Sequence, residues 1–187
     1  MTLNAAVTFD GGSLGAQRLN TLAVEALAAI PDFATRWQAL HFTGAKDVDR
    51  VKALYAATPY AAHVDGYCHE MPAAYAAADL VISRSGASTL SELIATRKPA
   101  VLVPYPLATG QHQTRNAAPL VEAGAALLRE QRDLAGGDLS AVLEGLFVES
   151  DRLARMREGY DRLAVDPFVA SERIRDLVLD AARQPAK

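Results

Sequence analysis

Three stretches of this chain gather glycines, small hydroxyl residues and amides next to predicted helix starts. The first is Asp10-Gly11-Gly12-Ser13-Leu14-Gly15-Ala16. Glycines let a backbone approach a ligand closely, and the free N–H groups at the start of a helix attract phosphate. The G-x-G-x-x-G spacing of a dinucleotide fingerprint is absent, and no Gly-Lys-Ser/Thr follows to make a Walker A loop. A tight strand-to-helix turn is the alternative. The second stretch is Ser83-Arg84-Ser85-Gly86-Ala87-Ser88-Thr89-Leu90-Ser91-Glu92. Ser88 and Thr89 fall in the first turn of a predicted helix, where N–H groups and hydroxyls can meet a diphosphate. Glu92, one turn further on, falls where a ribose diol would sit. The same spacing also suits a capping box, with Ser88 or Thr89 as cap and Glu92 reaching back. The third stretch, Pro104 to Asn116, carries His112, Gln113 and Asn116 near a helix start. Amides and a histidine suit sugar hydroxyls, which need both donors and acceptors; the alternative is a solvated loop with ordinary capping.

Other polar residues read as structural. Asp47-Val48-Asp49 matches the D-x-D metal motif of some sugar transferases, but acids are stabilised in the first turn of any helix. His63, His69 and Cys68 lack the spacing of a zinc site. Cys68 is the single cysteine, so no disulfide forms within the chain, and packing is a more ordinary role for it than nucleophilic attack. No metal and no cofactor is expected.

The elements that must position these stretches alternate along the chain. Strands are expected at Ala5–Phe9, Ala39–Phe42, Ala61–Val64, Leu80–Ser83, Ala100–Val103 and Ala125–Leu128. Helices are expected at Leu14–Ile30, Lys46–Ala57, Met71–Ala78, Ser88–Thr96 and Gln113–Ala123, from apolar residues at helical spacing. A helical tail runs from Leu139 to Ala182 with a break near Asp166-Pro167, and Asp138 is a plausible N-cap before it. Such alternation predicts an α/β fold, a parallel sheet with helices on both faces. In open parallel sheets ligands bind at the carboxyl ends of the strands, which is where all three stretches fall.

The chain has 187 residues, 50% of them hydrophobic, and a formal net charge of −3. That fits one domain with a sizeable core. No basic run suggests a nucleic-acid partner. No apolar run approaches the roughly 18 residues of a membrane span, and the N-terminus lacks signal-peptide features. The expectation is a cytoplasmic protein, soluble or at most peripheral to a membrane.

Taken in order, the motifs resemble the C-terminal, donor-binding domain of glycosyltransferase family 28, the bacterial enzymes that add N-acetylglucosamine to lipid I in peptidoglycan synthesis. The resemblance is carried by Gly11-Gly12-Ser13-Leu14-Gly15-Ala16 with Asn20 following, and by the run from Ala78 to Glu92. Lys98-Pro99-Ala100, Pro104 and His112-Gln113-Thr114-Arg115-Asn116-Ala117 complete it. It implies one Rossmann-like half of a GT-B enzyme, inverting and metal-independent, with UDP-N-acetylglucosamine as donor. Gly11, Gly12 and Gly15 would form the phosphate loop. Ser13 and the turn Ala87-Ser88-Thr89 would hold the diphosphate, and Glu92 the ribose hydroxyls. The backbone at Cys68, with Tyr67 and Met71 beside it, would form the uracil pocket. His112, Gln113 and Asn116 would line the sugar side. An acceptor domain bearing the general base would lie N-terminal to residues 1–187 or on a partner chain, lipid I would bind there, and the enzyme would work at the inner face of the membrane. Phe9-Asp10 departs from the family, where an apolar and a small residue are expected. A UDP-sugar-binding module without transferase activity, or half of a UDP-sugar epimerase, are the other readings.

Overall fold

Short apolar runs become strands here because both of their faces are covered, and longer amphipathic runs become the covering helices. The computed structural model describes residues 5–10, 16–108, 111–134, 137–149, 151–163 and 169–183. In chain order the elements are β1 (Ala5–Asp10), α1 (Gln17–Ala29), α2 (Phe33–Arg36), β2 (Trp37–Phe42), α3 (Val48–Ala56), β3 (Ala62–Asp65), α4 (Met71–Ala77) and β4 (Leu80–Ser83). They continue as α5 (Ala87–Thr96), β5 (Ala100–Leu102), α6 (His112–Glu122), β6 (Ala126–Leu128), α7 (Asp138–Val148), α8 (Arg152–Gly159) and α9 (Val169–Arg183). The six strands form one parallel sheet in the order β3-β2-β1-β4-β5-β6.

Alternation along the strands splits the core in two. Ile82 and Val101 point into one cluster with Leu19, Leu27, Leu143 and Leu146, while Val81 and Leu102 point into another with Tyr75, Leu90, Leu93 and Leu120. Truncating any of these buried leucines to alanine costs on the order of 2–5 kcal/mol. The strand order reverses between β1 and β4, which opens a crevice at their carboxyl ends. In register, Asp10 lies opposite Phe42 of β2 and Ser83 of β4, so three strands end side by side there.

The structure departs from expectation at three places. β2 starts two residues early, behind the one-turn helix α2, because Trp37 stacks on Phe147 of α7 at 4.0 Å between ring centroids. Gly137 precedes α7, and Asp138 lies inside its first turn, where a carboxylate still meets the positive end of the helix dipole. The tail is also not one helix: α7 ends at Val148 and α8 starts at Arg152, with Glu149 accepting from Arg152 and Arg155 and Asp151 pairing with Arg155. The break expected at Asp166-Pro167 lies outside the described residues. The end of α8 docks hard on the entry to β6: a Cβ on Gly159 would stand 2.6 Å from the Ala125 nitrogen. In α9, by contrast, residues 172, 173 and 175–180 are all exposed, Leu177 at 70% and Val178 at 61%. Among the described residues no helix is long and apolar enough to cross a membrane.

Candidate functional site

At the β1/β4 crevice the strand ends enclose a cavity of about 200 Å³. One wall is the loop after β3, through Gly66, Tyr67, Cys68 and Met71. The opposite wall is the start of α5, through Ser88, Thr89 and Glu92. Asp10 and Phe42 form the floor. Gly66 has a local reason to be glycine: a Cβ there would lie 2.9 Å from both the Ala45 Cα and the Val48 Cγ2. That close approach seats the β3 loop against the start of α3. No lysine or arginine is among these lining residues, so an anion in the cavity depends on backbone N–H groups.

Helix α5 supplies such groups. Its N-cap is Gly86, in extended geometry with no side-chain cap hydrogen bond. The first N–H groups of a helix have no partner within it, and here no side chain closes over them. The capping-box alternative is therefore not realised. Glu92 is turned elsewhere: its Oε2 accepts from the Tyr75 hydroxyl at 2.9 Å. Tyr75 is buried in the second core cluster. Burial first, then the hydrogen bond to Glu92 and the charges of Glu92 and Asp10, push its phenol pKa up. Tyr75 thus stays a neutral donor that fixes one carboxylate oxygen and leaves the other to the cavity.

The third loop is tied in from β4. Arg84 donates to the carbonyls of Val103 and Pro104 at 3.1 and 3.0 Å and to Gln131 Oε1 at 2.6 Å, and its guanidinium lies 5.6 Å from the Tyr105 ring centroid. Burial lowers its pKa to about 10, so it remains charged at neutral pH. Beside it the hydroxyls of Ser83 and Ser85 are buried without a hydrogen-bond partner, as is that of Thr8.

The other flank of the crevice is a closed polar network. Asn20 Nδ2 donates to the Thr43 carbonyl at 3.0 Å and to Asp47 Oδ2 at 2.7 Å. Its Oδ1 lies 3.1 Å from His41 Nε2, and His41 Nδ1 lies 3.0 Å from the Tyr55 hydroxyl. An amide oxygen only accepts, so Nε2 carries the imidazole proton and Nδ1 accepts from Tyr55. Burial holds His41 neutral, its pKa lowered to about 3. Asp47 also accepts from Arg50 at 2.6 and 2.7 Å; that hydrogen bond is the main cause of its lowered pKa. The carboxylate of the D-x-D look-alike is thus already held by Arg50 and Asn20. Through these bonds α1, which follows the glycine-rich stretch, is anchored to β2 and α3.

Residues 6–167 match the model of the glycosyltransferase family 28 C-terminal domain. The chain belongs to this family. It is 42% identical over 174 residues to the UDP-N-acetylglucosamine–N-acetylmuramyl-(pentapeptide) pyrophosphoryl-undecaprenol N-acetylglucosamine transferase of Anaeromyxobacter sp. (strain Fw109-5), which covers 93% of this chain and 45% of that protein. The enzyme of the same name from Thiobacillus denitrificans is 46% identical over 154 residues, 82% of this chain and 41% of that one. The crystal structure of MurG from Acinetobacter baumannii superposes with a TM-score of 0.84 at 31% identity, over 96% of this chain and 51% of that one. The fold is accordingly one half of a GT-B glycosyltransferase, and the chain spans about half the length of the relatives it matches.

Within the family 28 motifs, the residues divide between site and scaffold. Cys68, Met71, Ser88, Thr89 and Glu92 share one cavity with Tyr67, and Ala87 begins α5 beside them. His112, Gln113 and Asn116 do not line that cavity. They lie on the first turns of α6, where Gln113 Oε1 turns back to accept the Tyr105 N–H at 2.9 Å. Gly11, Gly12, Ser13 and Gly15 lie outside the described residues. Lys98 works far from the crevice, donating to the Ala78 carbonyl at the end of α4 at 2.8 Å. Sequence reasoning missed Tyr75, and gave Arg84 and Asn20 no role. Tyr75 stands four residues after Met71, one turn along the same face of α4, and that spacing was the available signal.

Proposed function

We propose that this chain is the donor-binding half of an inverting, metal-independent glycosyltransferase that moves N-acetylglucosamine from its UDP donor to lipid I. The observation that carries the reading is the crevice itself: an uncapped helix N-terminus, with a carboxylate held one turn inward, in a family 28 chain more than 40% identical to transferases of that name. UDP lies along the crevice, uracil against the Cys68 loop, ribose at Glu92 and diphosphate at the Ser88–Thr89 turn with the glycine-rich stretch and Ser13. Helix N–H groups stabilise the charge that develops on the leaving UDP, without a metal. His112, Gln113 and Asn116 face the hexose once donor is bound, with Gln113 exchanging its bond to Tyr105 for the sugar.

The general base and the lipid site belong to an acceptor domain, which closes over the crevice at the inner face of the membrane. The stripe of Leu177 and Val178 on α9 docks on that domain, since an exposed apolar patch of this kind marks an interaction surface. Calorimetric titration of the chain with UDP-N-acetylglucosamine, UDP-N-acetylgalactosamine, UDP-glucose and UDP tests the donor assignment. Tightest binding of the first is expected, and no binding of any of the four would overturn it. Product from lipid acceptor only when an acceptor domain is added distinguishes a half-enzyme from a binding module.

A further inference from the structure

Asp10 is the residue that the family motif does not explain. It ends β1 where a small residue is expected, and it puts a second carboxylate on the floor of a cavity that already contains Glu92 and is lined by no lysine or arginine. Both acids surround one phenol: Glu92 is hydrogen-bonded to Tyr75, and the charge of Asp10 reaches the same hydroxyl. Two carboxylates and a diphosphate repel one another in a partly enclosed site. Asp10 therefore suits the part of the ligand that is neutral and rich in donors. Its place in the sheet says which part. β1 lies between β2 and β4, and Asp10 is in register with Phe42 on one side and Ser83 on the other. The cavity runs from the Cys68 loop beyond β2 to the start of α5 beyond β4, so Asp10 is under its middle. The middle of a nucleoside diphosphate is its ribose.

Taking the UDP reading as given, we propose that Asp10 is a second acceptor for the ribose, reading one hydroxyl of the diol while Glu92 reads the other, so that this chain selects ribonucleotides over deoxyribonucleotides. A carboxylate offers two oxygens with about four lone-pair sites, so Asp10 can keep contacts within the protein and still accept from a sugar hydroxyl.

The test is calorimetric titration of the 187-residue chain with UDP, 2′-deoxy-UDP and 3′-deoxy-UDP, for wild type, Asp10→Asn, Asp10→Ala and Glu92→Gln. Wild type should bind each deoxy analogue roughly ten- to a hundredfold more weakly than UDP, as expected for a hydrogen bond to a charged group. In Asp10→Ala one of the two penalties should fall to within about threefold while the other persists; Asp10→Asn should fall between, and Glu92→Gln should show the opposite pattern. Ratios of affinities cancel any uniform effect of removing a negative charge near the diphosphate. If Asp10 only braces the glycine-rich stretch, all three nucleotides will shift by one common factor, and the proposal fails while the UDP reading stands. Equal binding of UDP and both analogues by wild type overturns it without any variant. No binding of UDP by wild type overturns both readings.

Discussion

The two flanks of the crevice treat buried polar groups in opposite ways. On the α1–β2–α3 side, Asn20, His41 and Asp47 are all buried, and their side-chain nitrogens and oxygens are hydrogen-bonded to one another, to Tyr55, to Arg50 or to backbone. On the β4–α5 side, Ser83 and Ser85, with Thr8 of β1 beside β4, keep buried hydroxyls without partners. An unsatisfied buried hydroxyl costs free energy that packing does not return. The first flank behaves as scaffold, closed on itself. The second holds its donors and acceptors open, as a surface built for a ligand does. The distinction predicts where substitutions should cost stability and where they should cost affinity.

The largest effect belongs to the scaffold. Asp47→Ala removes the acceptor of Arg50 and leaves one N–H of the buried Asn20 amide unmatched, while its bonds to Thr43 and His41 remain. Bonds to a charged group contribute about 1.5–3 kcal/mol each; Arg50 is partly exposed, which discounts its share. A stability loss of about 2–4 kcal/mol is expected in denaturant titration, with UDP affinity of the folded protein unchanged within about twofold. A comparable loss of affinity without a stability change would erase the contrast between the flanks.

Glu92→Ala is the mirror experiment. If Glu92 accepts from the ribose, UDP affinity falls about tenfold to a few hundredfold, since ~1.4 kcal/mol is one decade. Without nucleotide the loss of the Tyr75 hydroxyl's acceptor costs about 0.5–1.5 kcal/mol of stability, less than Asp47→Ala, because Glu92 is exposed and caps nothing. Tyr75→Phe sharpens the point: the carboxylate remains but loses its orienting donor, and affinity should fall by a smaller factor, about three- to tenfold. Unchanged affinity in both variants would return Glu92 to a purely surface role.

These contrasts also show what the sequence could and could not reveal. Strand-helix alternation announced six parallel strands, and the rule that ligands sit at strand carboxyl ends pointed to the loop carrying Ser88, Thr89 and Glu92, which in the fold line the crevice cavity. The order β3-β2-β1-β4-β5-β6 was not legible, because neighbours in a sheet are chosen by packing between residues far apart in the chain. The same holds for Trp37 on Phe147, which extends β2, and for His41, read only as part of a strand end, whose partners come from α1 and α3. Local spacing offered two fates for Glu92, ribose contact or capping-box partner. Only the fold, by bringing Tyr75 from α4 against it, shows that the capping geometry is not used.

The scaffold flank should also respond to acid. Burial lowers the His41 pKa from 6.5 to about 3, so the unfolded chain binds a proton that the folded chain refuses. Stability is then unaffected by this group above pH 6.5 and falls as the pH drops through the window from 6.5 toward 3. The slope approaches about 1.4 kcal/mol per pH unit well inside that window. Asp47, whose pKa is lowered from 3.8, adds its own loss only near and below pH 4, so melts between pH 7 and 5 isolate His41. His41→Gln should flatten that dependence, although it lowers stability at pH 7. An equally steep decline in the variant would assign the acid sensitivity to another group.

The smallest effect is expected at α9. Leu177 and Val178 are more exposed than any core residue of this fold, and their contribution to the isolated chain is correspondingly slight. Surface substitutions away from caps, buried networks and the core change stability by about 0.5 kcal/mol or less. Leu177→Glu with Val178→Lys should therefore leave both the melting temperature and UDP affinity of this chain nearly unchanged. The same pair should matter once an acceptor domain is present: two charges in an apolar contact lose hydration without finding partners, so association and product formation should both drop. A stability loss of 2 kcal/mol or more in the isolated chain would mean that α9 packs on its own sheet in solution. The apolar stripe would then be core rather than interface, and the proposed docking of the acceptor domain on α9 would be wrong.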